Sequence, residues 1–312
     1  MSSLHLNSAV AKALREGQPV VALESALITH GLPYPANLET AQRIEAVVRQ
    51  EGAVPASIAI LEGEPHVGLS DDELRGLARL TDPQAASTKP PRKVSLRDLP
   101  IALAEETTGG TTVAATMHLA RRAGIEVFAT GGIGGVHRGR PEDVSADLTA
   151  LGSIPVTVVC SGAKAILDLP RTREGLETRG VPVVGYGTDA FPAFYSPGSD
   201  LKVDVTLDTP EAVAHLVRAR HKMGLSTALL ICVPVPDHAA LTTGAAEAAI
   251  AQAEKEADAA RVTGKDLTPF LLGRIARLTD GKAQHANQAL LVNNARVAAR
   301  IARALTTAKS DA

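Results

Sequence analysis

The sequence has no tryptophan, four phenylalanines and three tyrosines in 312 residues, an aromatic share of 2%. Base-stacking platforms for single-stranded nucleic acid rely on aromatic faces, so the composition argues against that class. A core poor in aromatics has to be built from Ala, Val, Leu and Ile, and a hydrophobic content of 45% is enough to fill one. A dominant charge sign is also missing. Lys plus Arg number 32 against 34 Asp plus Glu, and the net charge of -2 gives no pull toward nucleic acid or an anionic membrane. Any anionic ligand must be small and held locally. Cysteine is scarce too: Cys160 and Cys232 each sit inside an apolar run, VTVVC and ALLIC. Such positions fit buried reduced thiols better than a disulfide or a zinc pair. No stretch approaches the length needed to cross a bilayer, and MSSLHLNSAVAKALREG has no apolar signal-peptide core. A cytoplasmic protein with neither membrane nor nucleic acid as partner is expected.

What is present is an alternation. Short apolar runs occur at 19–25, 56–61, 126–130, 155–162, 181–187 and 227–236, and between them lie helical stretches. Runs apolar throughout predict strands buried on both faces, as in a mostly parallel or mixed sheet. NLETAQRIEAVVRQEG, entered through Pro35 and Asn37 and stopped at Gly52, reads as a helix. GGTTVAATMHLARRAG reads likewise, with Thr111 or Thr112 to cap it and Gly124 to end it. The fold class is therefore α/β, a three-layer α/β/α sandwich. TDPQAASTKPPRK at 81–93 reads as a loop, too short for a domain linker. DAFPAFYSPGSD at 189–200 reads as irregular, and the Ala-rich C-terminal third as helical. With no internal repeat or low-complexity tail, a single domain spanning 1–312 is expected.

Open α/β sheets bind ligands beyond the carboxyl ends of their strands, so polar residues just after buried strands are the first candidates. Glu24 ends VVAL, Thr130 begins the turn after VFA, and Lys164 follows VTVVCSGA. A lysine near an apolar strand end loses hydration, which favours the neutral, nucleophilic amine; a solvated first-turn lysine is the plainer alternative. A carboxylate at a buried strand end needs a partner or a raised pKa, so Glu24 fits a general acid and equally a structural ion pair. TGGIGGVHRG at 130–139 is the most glycine-dense segment. It fails the dinucleotide fingerprint at His137 and the Walker A pattern at Arg140, which leaves anion or hydroxyl binding through backbone amides, His137 and Arg138, or simply a tight bend. In EDVSADL, Asp143 and Asp147 stand one turn apart if the segment is helical. They fit a hard divalent cation plus substrate hydroxyls, or a solvated helix face. Lys93 is a candidate phosphate ligand, with Lys89 and Arg92 as rivals, and a plain surface basic patch is the default for all of them.

In their order, VALESALITHGLPYP, GAVPASIAILEG, KVSLRDLP, GGTTVAATM, FATGGIGGVHRG, DVSADL, VTVVCSGAKAILD, VPVVGYGTDAFPAF, TPFLLGRIARLT and HANQALLVNNA resemble the pseudouridine 5'-phosphate glycosidases, a family also described as similar to an indigoidine-biosynthesis protein. The resemblance runs from about residue 15 to 303. It implies that Glu24 is a proton donor and Lys164 a covalent nucleophile. It implies substrate contacts at Lys93, with the phosphate, and at Val113, Ser145, Ala146 and Asp147, and a manganese ligand at Asp143. Thr130, His137 and Asn287 match further pocket positions. A trimer and the α/β/α fold are implied as well, with Mn2+ as the metal and no organic cofactor. Ser161 departs from the alanine common at its position.

The implied reaction is reversible cleavage of pseudouridine 5'-phosphate to uracil and ribose 5-phosphate. The base hangs on carbon C5, a far poorer leaving atom than nitrogen, so two carboxylates alone do not suffice. Proton donation by Glu24, ring opening and an imine on Lys164 supply the missing push. The competing readings are another Schiff-base phosphosugar lyase or aldolase using Lys164, and a non-catalytic phosphosugar-binding protein in which Glu24 and Lys164 are structural.

Overall fold

A computed structural model describes residues 4–84, 89–262, 264 and 267–307. Residues 85–88 of the loop expected over 81–93 lie outside the described residues.

The strands are β1 (His5–Leu6), β2 (Val20–Glu24), β3 (Val54–Leu61), β4 (Glu64–Val67), β5 (Arg92–Val94), β6 (Gly109–Thr111), β7 (Val127–Ala129), β8 (Val136–His137), β9 (Arg140–Val144), β10 (Thr157–Cys160), β11 (Val183–Tyr186), β12 (Val205–Leu207) and β13 (Leu229–Cys232). Eleven of them form one sheet in the order β1-β4-β3-β2-β7-β10-β13-β11-β12, with β6 added on β3 and β5 on β6, while β8 and β9 make a separate hairpin. From β3 through β2, β7, β10, β13 and β11 to β12 every pairing is parallel. All six expected apolar runs are strands of this parallel series. Every residue of β2, β7, β10 and β13 is buried, as strands covered on both faces require. Burial of each Val, Leu or Ile side chain there contributes about 1.5–3 kcal/mol.

Helices supply the covering layers. Lys282–Thr307 packs on Ala36–Gln50 and Pro210–Lys222 and against β2, β7 and β10. Its inner face is largely alanine, including Ala286, Ala295, Ala298 and Ala302, which lets helix and sheet approach closely without aromatic bulk. Val113–Ala123 packs on β2 and β3 and joins Ala146–Leu151, which in turn meets Leu169–Thr178. Cys160 and Cys232 are register partners on β10 and β13, both fully buried and both free thiols, as their apolar runs suggest. Among the described residues no helix is long and apolar enough to cross a membrane.

Two helix starts differ from expectation. Asn37 does not cap its helix; it is fully buried and its Nδ2 donates to Ile28 O at 2.8 Å, Ala78 O at 3.2 Å and Thr81 Oγ1 at 3.0 Å. Thr112 occupies the N-cap position of Val113–Ala123 but makes no side-chain cap bond. Both expected stops hold, since Gly52 (φ +81°) and Gly124 (φ +84°) adopt the left-handed conformation that glycine tolerates without strain.

The connection from β2 leads to β3 on one side, and the chain from β7 leads to β10 on the other. The adjacent pair β2 and β7 is thus the switch point of the sheet, where a crevice opens beyond the strands' carboxyl ends.

Candidate active site

Glu24 is the last residue of β2, and Thr130 and Ser161 follow directly on β7 and β10. Adjacent parallel strands bring the three side by side at the crevice. The Thr130 hydroxyl donates to Glu24 Oε1. Burial pushes the Glu24 pKa above its ordinary value of 4.5; Lys164 and the Thr130 hydrogen bond oppose the rise, Asp147 adds to it, and Lys93 opposes it. A carboxyl group in that setting holds its proton more readily than one in water, the condition for a general acid.

Lys164 reaches the crevice through an irregular segment rather than a helix, because the next helix begins at Leu169 behind the Asp168 cap. Its backbone is zipped to the glycine loop: Ile133 N donates to Gly162 O, and Lys164 N to Ile133 O, both at 3.0 Å. The first-turn setting considered for this lysine is therefore absent. Its side chain is half-buried and lines a cleft of about 1360 Å³ together with Lys93, His137, Asp143, Ser145, Ala146 and Asp147.

Several amides of the glycine loop are engaged in packing, while Gly134 and Gly135 also line the cleft. Gly134 N donates to Asp147 Oδ2 at 2.8 Å, and Val136 N to Thr172 Oγ1 at 3.0 Å. A Cβ at Gly134 would overlap Ser145 Oγ and stand 2.8 Å from Asp147 Oδ2. Arg138 is committed to protein partners. It forms a two-pronged pair with Glu247 at 2.7 and 3.0 Å and donates to Leu167 O and Ala165 O, which clamps the helix Thr243–Ala259 over the loop.

EDVSADL is not one helix. Asp143 lies on β9, Ser145 is the N-cap, and Asp147 lies in the helix Ala146–Leu151. Asp147 is buried, and both its oxygens are engaged: Oδ1 accepts from Ala114 N at 3.0 Å and Oδ2 from Gly134 N. It thus caps the helix that Thr112 leaves uncapped. Asp143 faces His137, whose pKa burial lowers; Asp143 opposes that shift, while Arg140, Lys93 and Lys164 reinforce it. The same two lysines act on Glu24 and on His137, so the buried carboxyl behind the cleft and the imidazole lining it share one electrostatic neighbourhood.

Lys89, Arg92 and Lys93 all line the cleft, and Arg92 is also paired with Glu105 at 2.6 Å. As a metal site, Asp143 has the imidazole of His137, whose pKa burial lowers, for a neighbour and belongs to no cluster of three ligating side chains among the described residues. That donor set fits a hydrated divalent cation keeping several waters, not a chelated one.

Some matched positions lie off the main cleft. The Val113 side chain is buried in the core, so a contact there is limited to its backbone; Thr112 lines the cleft instead, and its buried hydroxyl has no hydrogen-bond partner. Glu24 and Thr130 line a small void of about 10 Å³ behind the crevice. Asn287 stands against the Gly131 backbone, with its Oδ1 3.5 Å from where a Cβ would sit. Two further residues escaped the sequence reading. His30 lines the cleft from a turn of π-helix. Asn294, fully buried, donates from Nδ2 to Thr130 O at 2.8 Å and is hydrogen-bonded to Ser161 Oγ at 3.2 Å. Both lie inside motifs already singled out, THG and VNNA, yet neither follows directly on an apolar strand.

The family model described as "Indigoidine synthase A like protein" matches residues 9–304. The chain is 53% identical over 304 residues to the pseudouridine-5'-phosphate glycosidase of Chloroflexus aurantiacus, covering 96% of this chain and 97% of that one. It is 51% identical over 299 residues to pseudouridine-5'-phosphate glycosidase 2 of Rhizobium johnstonii, covering 95% and 94%. Among solved structures it is similar to the prealnumycin C-glycosynthase AlnA in complex with ribulose 5-phosphate, with a TM-score of 0.88, 40% identity and 99% of both chains covered. An indigoidine synthase A-like protein of Thermotoga maritima gives a TM-score of 0.87 at 36% identity, covering 98% of this chain and 97% of that one.

Proposed function

This chain belongs to the indigoidine synthase A-like family, and from that membership we propose that it is a pseudouridine-5'-phosphate glycosidase, exchanging pseudouridine 5'-phosphate for uracil and ribose 5-phosphate. Relatives of that name match about half its residues over nearly the full length. The single observation that carries the chemistry is the buried Glu24, its pKa raised by burial, within electrostatic reach of Lys164 at the β2/β7 crevice.

Glu24 gives its proton to the ribose ring oxygen as the bond from C1' to that oxygen breaks. Lys164 Nζ, as the free amine, adds to C1'. Its nitrogen lone pair then drives cleavage of the bond from C1' to C5, C5 takes a proton, and uracil leaves. Water hydrolyses the imine to ribose 5-phosphate and regenerates the amine. Lys93 holds the phosphate, a remote contact whose binding energy positions the sugar. Asp143, beside His137, would hold Mn2+, and the ion would favour charge developing on the uracil carbonyls. Ser145 and Ala146 line the sugar side, and Asp147 acts chiefly by bracing the loops. A homotrimer in the cytoplasm belongs to the same proposal, and sedimentation giving only monomer would remove the trimer.

The test mixes purified protein, Mn2+ and pseudouridine 5'-phosphate, follows uracil release and traps the imine with borohydride. Uracil release with a ribose phosphate adduct on Lys164 is expected. No uracil and no adduct would sink the proposal, and binding of ribose 5-phosphate without trapping would leave a phosphosugar-binding protein. The AlnA likeness favours the same ligand class, since that protein was crystallised with a pentulose 5-phosphate.

A further inference from the structure

We infer that His5, His66 and Glu73 form a transition-metal site of the Zn2+ class, separate from the cleft, that clamps the start of the chain to the edge of the sheet. One ligand atom from each lies within 4.8 Å of the others, and this is the one such cluster of three among the described residues. None of the three lines the cleft.

The local fold presents each donor. β1 pairs in parallel with β4 so that His5 is the register partner of His66, which puts the two imidazoles on one face with ring centroids 4.4 Å apart. Glu73 comes from the helix Asp71–Arg79, where a capping box fixes its carboxylate. Its Oε2 accepts from Ser70 N at 2.7 Å and Ser70 Oγ at 2.8 Å, which leaves Oε1 toward the histidines. His66 Nδ1, buried and with no other partner among the described hydrogen bonds, lies 2.9 Å from that Oε1. A nitrogen and a carboxylate oxygen held at that separation have the spacing of two ligands of one small ion.

Two imidazoles and one carboxylate are the donor set of zinc and its neighbours, not of Mg2+ or Ca2+. Donors at about 2.0–2.2 Å from a tetrahedral ion stand roughly 3.3 Å apart. His66 and Glu73 are already that close, and His5, which is exposed, can rotate to complete the set. Water fills the fourth position. The ion would cross-link a two-residue strand, otherwise tied on by its β4 pairing and the bond from Asn7 N to Val67 O at 3.0 Å, to two distant parts of the chain.

Equilibrium dialysis of the whole protein against Zn2+, with excess Mn2+ to occupy oxygen-rich sites, counts ions per chain. Wild type should hold one more Zn2+ than His66→Ala. His5→Ala, which alters an exposed side chain and should keep fold and activity, should weaken that Zn2+ roughly tenfold or more. Zn2+ should also raise the melting temperature of wild type and slow amide exchange at the β1 strand, with neither effect in His5→Ala. No Zn2+ bound by wild type, or equal stoichiometry and equal melting shifts in wild type and His5→Ala, overturns the inference.

Discussion

The Thr130 hydroxyl donates to Glu24 Oε1 across the crevice between β2 and β7, and Glu24 is only 7% exposed there. Burial raises its pKa above 4.5, so between that value and the higher folded one the native state binds more protons than the unfolded chain. Stability attributable to this group therefore falls as pH rises through that window. Glu24→Gln carries no such charge. Its melting temperature relative to wild type should climb as pH rises above 4.5 through the folded pKa of Glu24, and a flat difference would contradict the raised pKa.

Glu24→Gln should also lower kcat by about 10²–10⁴ while ribose 5-phosphate still binds. Calorimetric titration beside the uracil assay separates the two effects.

Loss of the nucleophile is harsher. Lys164→Ala should reduce uracil release by at least about 10³-fold with little change in melting temperature. Lys164→Arg, which keeps the charge but is a far poorer nucleophile, should be equally inactive; activity in either variant would end the imine mechanism.

Asp147 braces two amides with one carboxylate, Ala114 N and Gly134 N. Asp147→Ala leaves both without that acceptor and should cost about 3 kcal/mol in urea unfolding. Asp147→Asn, with one oxygen left to accept, should cost less.

Arg138 and Lys93 should part company in kinetics. Arg138→Ala breaks a partly exposed pair with Glu247 and two carbonyl bonds, so a stability loss of about 1 kcal/mol and a KM within about twofold of wild type are expected. Lys93→Ala should raise KM for the phosphorylated substrate at least about tenfold. The reverse order would return Arg138 to the phosphate.

Chelation of divalent metal should depress turnover. Full rate in metal-free protein would make Asp143 a structural residue only.

The sequence by itself determined the sheet and the ends of its strands. Unbroken apolar runs such as VTVVC and ALLIC can be stable only with both faces covered, so six buried parallel strands were legible, and with them the strand-end positions of Glu24, Thr130 and Ser161. The short strands β1, β5, β6 and β12 were not, because two or three residues carry no periodicity and owe their conformation to partner strands. Only the tertiary structure decided what each polar residue is for. Arg138 reads as an anion ligand until Glu247, far along the chain, is folded against it. Asp147 reads as a free carboxylate until Ala114 and Gly134 claim both its oxygens. Hydrophobic pattern is local and survives in one dimension, whereas the partners of a buried polar group are chosen by contacts between segments that the order of residues does not reveal.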